Sequence, residues 1–152
     1  MNMNQNHYRR LLIMAALSFI AMYFLMYAMV NAVGNVINNL NQVYMAAVMT
    51  APMIVIEILV MSAMYHNKRL NALIIGVSVL ALIVFFMFIR QQTAISDTQF
   101  LRSMIPHHAG AILMCEQASI QDQEIKNLCQ TIISGQQAEI NQMKEKLREL
   151  EE

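Results

Sequence analysis

The stretch SMIPHHAGAILMC, Ser103–Cys115, sets the adjacent His107 and His108 between Met104 and Met114 and ends on a thiol. Thioether sulfur and imidazole nitrogen together suit Cu(I) and its analogue Ag(I). A thioether is not consumed by disulfide formation and is not protonated in acid, so such a set also suits an oxidising compartment. Zinc asks for four Cys or His donors, or an added carboxylate, which this segment lacks. A ferritin-like di-iron centre needs Glu-x-x-His pairs, but Met104 and Ile105 stand three residues before the two histidines. The competing reading is a packed bundle in which the histidines are satisfied polar groups and the methionines fill gaps. Spacing alone leaves both readings open.

The elements that must position this stretch follow from composition. Of 152 residues, 57% are hydrophobic and 13% charged, against about a quarter charged in soluble domains. Mean hydropathy is +0.43. The class is therefore membrane. Residues 11–30 form a 20-residue uncharged run, about 30 Å as a helix, which matches one hydrocarbon thickness. Arg9 and Arg10 precede it, but the run exceeds the apolar core of a signal peptide and is read as a retained anchor. Residues 43–65 and 72–89 form two more spans, so residues 1–90 are a membrane domain. Residues 7–10 and 66–71 each carry two Lys or Arg, and 31–42 carry none. That bias puts the N-terminus in the cytoplasm of a bacterial inner-membrane protein. Everything after Arg90 then lies on the periplasmic, oxidising side.

Between spans one and two, Val33, Val36, Ile37 and Leu40 fall at i, i+3, i+4 and i+7. They fit either a short interfacial helix or a polar loop with scattered apolar residues. Span two carries Met45, Met49, Met53, Glu57 and Met61 at steps of four. The stripe winds by about 40° per step, as a packing ridge does. Glu57, an intramembrane carboxylate, is a functional candidate by default; the alternative is that it is protonated or paired with a neighbouring helix. No histidine lies inside a span, so no haem is expected.

A linker, 91–96, precedes a tail at 97–152 whose five cations face nine carboxylates. This acidity argues against nucleic acid as a partner. Asp97 is the expected N-cap of one helix to about Gln117. Ser119–Asp122 reads as a capping box for a second, to about Leu150. A turn near 120–122 pairs residues whose numbers sum to about 244: Cys115 with Cys129, His108 with Gln136, and Gly110 and Ala111 with Gly135. Met104 falls within a turn of Met143. On this register Met104, His108, Ala111 and Cys115 share one face, and Cys129, Ile132, Gln136, Glu139 and Met143 the facing one. His107 and His108 differ by about 100° around the axis, so one looks across the hairpin and the other toward a dimer mate or solvent. The two cysteines have three possible states: a structural disulfide, thiolate ligands for Cu(I), or inert buried thiols. Two helices of this size bury too little by themselves, so a homodimer closing a four-helix bundle is expected.

The run from Phe100 through Met104-Ile-Pro-His107-His108 to Met114, with Gln136-x-x-Glu139-Ile140-x-x-Met143, resembles the domain-of-unknown-function 305 family. Its relatives include CopM-like extracytoplasmic copper-binding proteins with a ferritin-like helical fold. The resemblance covers about residues 97–147 and implies Met104, His107, His108, Met114 and Met143 as metal ligands. It implies supporting roles for Gln136 and Glu139. Cys115 and Cys129 stand where that family usually has alanine, and Lys146 where an aromatic is usual. Many relatives carry two such hairpins; this chain has one, which again points to a dimer.

The expected protein is therefore all-α, with three spans and an extracytoplasmic hairpin. Its expected role is to buffer, store or hand over Cu(I), with membrane lipid and a copper donor or acceptor protein as partners. The alternative is a structural module whose hairpin dimerises or docks a membrane partner. No enzymatic acid/base pair is visible in the tail, so copper redox catalysis is not the expected role.

Overall fold

The structure, a computed structural model, describes the backbone from residue 3 and the side chains from residue 6 to residue 152. It is all-helical, in the order α1 (Met3–Leu25), α2 (Leu40–Val60), α3 (Lys68–Gln91), α4 (Asp97–Gln117) and α5 (Gln123–Glu151). Two 3-10 turns, Met26–Met29 and Val33–Asn35, lie between α1 and α2. Three stretches are long and apolar enough to cross a membrane: Asn6–Met29, Leu40–Val60 and Lys68–Gln91.

The second span stops at Val60, short of Tyr65, because the chain turns at 61–64 and Asn67 then caps α3. The Asn67 side chain accepts from the Leu70 amide at 3.0 Å, so α3 begins at Lys68 and reaches 24 residues. Glu57 consequently sits within one turn of the end of α2, where Tyr65 donates to it at 3.2 Å. Burial first, and then the Glu57 carboxylate, hold the Tyr65 phenol above its ordinary value, so it stays a donor. In the methionine stripe Met45, Met49 and Met61 are each about two-fifths exposed, and Met53 is half-buried.

The chain divides into two compact units. One holds α1 to Leu25 with Asn41–Thr93; the other holds Met26–Leu40 with Ala94–Glu152. In the first, Leu11, Ile58 and Tyr65 form a small core, and the Tyr8 hydroxyl donates to Asn71 Oδ1 at 2.6 Å.

In the second unit α4 and α5 make an antiparallel hairpin. Ser96 caps α4, accepting from Gln99 N at 3.4 Å, so the cap precedes Asp97 by one residue. Asp122 itself caps α5, accepting from Glu124 N and Ile125 N at 2.9 and 3.0 Å; Ser119 does not. The core comprises Ile105, Ala109, Ile112, Ile140 and Leu147, with Ile133 and Met143 packed against it. Leu101 joins them, and so do Val30 and Ile37 from the segment that links α1 to α2.

That segment is neither an interfacial α-helix nor a plain loop. Two of its asparagines turn inward and two of its valines outward: Asn35 and Asn39 are buried, while Val33 is 89% exposed. Tyr27 donates to the Ile37 carbonyl at 2.8 Å, and Gln99 accepts from Leu40 N at 2.9 Å. A third layer therefore lies against α4, and the hairpin does not rely on α5 alone for burial.

This layer also explains the small residues. Gly110 and Gly135 do not meet each other. A Cβ on Gly110 would reach the Met29 carbonyl oxygen at 3.4 Å, whereas one on Gly135 would meet nothing within 4 Å. Gly135→Ala is accordingly expected to stabilise the hairpin by about 0.5–1 kcal/mol, the usual gain for a mid-helix glycine with free space. A denaturant midpoint measured on the full chain checks it.

Candidate metal centre

Ile105, Ala109 and Ile112 turn one side of α4 into the core and leave His108 at its edge, against α5. His108 is the buried histidine among the described residues. Its Nδ1 lies 2.9 Å from the Met104 carbonyl oxygen and its Nε2 lies 2.7 Å from Glu139 Oε2. A carbonyl only accepts, so Nδ1 carries a hydrogen. The imidazole is thereby oriented from behind, the arrangement that aims a histidine's other nitrogen at a metal.

The partner differs from the Gln136 expected by register. Side chains lean toward the N-terminus of their own helix. On antiparallel helices His108 therefore leans away from the turn and Glu139 toward it, which brings together residues three positions out of register. The short cysteine side chains show no such offset: Cys115 and Cys129 meet where expected and form a disulfide, with Cα atoms 5.3 Å apart. With both sulfurs in that bond, neither is a thiolate that could ligate a metal. Gln136 is half-buried one turn before Glu139.

The other candidates separate. Met104 is half-buried one turn before His108, and Met143 is half-buried against the hairpin core. His107 is exposed, its ring centroid 6.0 Å from that of His108. Met114 is 55% exposed, seven residues on from His107 and so on the same outward stripe of α4. Glu57 belongs to the other compact unit.

Among the described residues, no three His, Cys, Asp or Glu side chains are grouped to hold a metal ion. The donor chemistry therefore fits neither a zinc nor a di-iron set. What remains is one oriented imidazole nitrogen, with Met104 one turn before it on α4 and Met143 packed against the hairpin core; imidazole and thioether are donor types that suit a soft monovalent ion. Glu139 now takes up that nitrogen. Its side chain is 56% exposed, so the carboxylate can be hydrated when another group takes its place at Nε2.

Residues 86–147 match a family described as "Domain of unknown function (DUF305)". The chain is 39% identical over 137 residues to "Uncharacterized protein L153" of Acanthamoeba polyphaga mimivirus, a match covering 88% of each chain. An alignment of that length exceeds the hairpin and extends into the spans. No solved structure matches.

Proposed function

The chain belongs to the DUF305 family, and from that premise we propose that it is a membrane-anchored protein that binds Cu(I), or Ag(I) in its place, as cargo. The observation that carries the reading is His108: buried, pinned through Nδ1, and presenting Nε2 on the α4–α5 seam. Met104 and Met143 supply thioethers near it, and Glu139 acts as a displaceable partner of Nε2. His107 and Met114 face outward, placed to receive or pass an ion to a donor or acceptor protein, or to a second copy of the hairpin. The role is buffering, storage or hand-over. Catalysis is not part of the reading. In this reading the three spans cross the bacterial inner membrane and hold the hairpin on its periplasmic side, where a disulfide persists. Dimerisation into a four-helix bundle is favoured by Phe100, Met114, Ile125 and Leu128, all about half-exposed outside the spans.

The test is a Cu(I) titration of the full chain in micelles against a competing chelator. His108→Ala is expected to weaken binding by at least about 100-fold, beyond the roughly 10–100-fold cost of losing an orienting partner. Micromolar or weaker binding, indifferent to His108, would remove the metal reading. The second reading, a hairpin that only dimerises or docks a membrane partner, is favoured by the His108–Glu139 contact, which satisfies the imidazole without a metal. A chain that self-associates identically with and without Cu(I), and binds none tightly, would establish it.

A further inference from the structure

Where Met26–Leu40 lies against α5, a shallow groove is lined by Gly34, Ile37, Lys144, Leu147, Arg148 and Glu151. Lys144 and Arg148 are one turn apart on α5 and point into the same groove. The Lys144 ammonium comes within 3.9 Å of where a Gly34 side chain would begin. Among the described residues no ion pair takes up either cation. Glu151 is engaged by Arg102 at 2.6 Å, and Glu149 by Lys146 at 2.7 Å. Glu145 and Glu152 stand three residues before and four after Arg148 on α5, yet neither is in an ion pair with it. The groove therefore presents two cations held in no ion pair, with Glu151 at its rim tied to Arg102, above an apolar floor of Ile37 and Leu147.

The segment forming its other wall connects two membrane spans. Met29 ends one candidate span and Leu40 begins the next, so the residues between them turn round at a single membrane face. Val33, 89% exposed, and Val36, 45% exposed, present hydrocarbon outward from this turn. An apolar tip beside a pair of cations is the chemistry of the lipid headgroup boundary. We propose that this groove binds the phosphate of an anionic phospholipid, with Lys144 and Arg148 on the headgroup and Val33 and Val36 among the upper acyl carbons. This rests on the reading that α1 and α2 cross the bilayer. Bound lipid would brace the hairpin against the connecting segment that completes its core.

The full chain, released from micelles containing equal phosphatidylglycerol and phosphatidylcholine, is weighed with its retained lipids by native mass spectrometry. Wild type is expected to retain phosphatidylglycerol preferentially. In Lys144→Ala/Arg148→Ala that retention falls by about 25-fold, roughly fivefold per cation. The charge-keeping Lys144→Arg/Arg148→Lys variant retains it, and all three chains keep the same helical circular dichroism. Lipid held by Arg9, Arg10, Lys68 and Arg69 is common to all three and drops out of the comparison. Equal retention of both lipids, or retention unchanged in the double alanine variant, would overturn the proposal. So would competition by inorganic phosphate as effective as by lipid, since that describes a site for free anions. Extraction of the chain from membranes by alkaline carbonate would instead break the membrane reading on which the proposal stands.

Discussion

Removing the Cys115–Cys129 disulfide, by reduction or as Cys115→Ser/Cys129→Ser, is expected to lower hairpin stability by about 3 kcal/mol. The bond joins residues 14 apart, and closing a loop of about 15 residues removes entropy worth about that much from the denatured ensemble, raising its free energy. Little else compensates near the turn. Ile125 and Leu128, which follow it on α5, are about half-exposed and add little packing. At the open end, Arg102 and Glu151 form an ion pair with both side chains more than a third exposed, worth less than about 1 kcal/mol after screening. Hydrogen exchange on the full chain in micelles reads the effect as lost protection in the first turns of α5. The same variant discriminates between roles for sulfur. If the disulfide is structural, Cu(I) affinity in the titration above is unchanged; if reduced thiolates are ligands, affinity falls with stability.

Ile112→Ala is expected to cost about 2–5 kcal/mol, and Ile112→Val about 0.5–1.5 kcal/mol. Ile112 is 1% exposed and lies in a core contributed by α4, α5 and the Met26–Leu40 segment. A cavity there is not closed by one helix shifting, because three elements share that core. Exchange should therefore accelerate both in α5 and at the amides of the 26–40 segment. An effect confined to α5 would show that the third layer holds independently of the hairpin.

Several features are legible from local chemistry. The spans announce themselves because backbone polar groups must be satisfied internally in lipid, which forces long apolar helices. The hairpin follows from helical periodicity interrupted by a short polar turn, and helix lengths then fix which residues stand opposite. That reasoning brings Cys115 to Cys129 and separates His107 from His108, because both depend only on rise and rotation per residue. Long side chains escape it: His108 reaches Glu139 because tilt along the helix adds to register. The caps shift as well, from Asp97 to Ser96 and from Ser119 to Asp122. Adjacent oxygen-bearing side chains compete for the same amides, and small differences in backbone angle decide between them.

Glu57 shows the opposite case. It lies inside the apolar run Leu40–Val60, but near its end: α2 stops one turn later, and a tyrosine eight residues on donates to it. The partner comes from the turn between α2 and α3, beyond the helix that carries Glu57.

By itself, then, the sequence determined the all-helical class, the three membrane-competent helices, the hairpin and its register, and the soft-donor character of the His/Met seam. Each follows from periodicity and residue chemistry within one helix or across one turn. Only the tertiary structure decided that Met26–Leu40 completes the hairpin core, that Gly110 meets Met29 and not Gly135, that Glu139 engages His108, and that Lys144 and Arg148 share a groove. Those contacts join segments some 30 to more than 100 residues apart. They leave no local period, because what selects them is shape and burial in three dimensions.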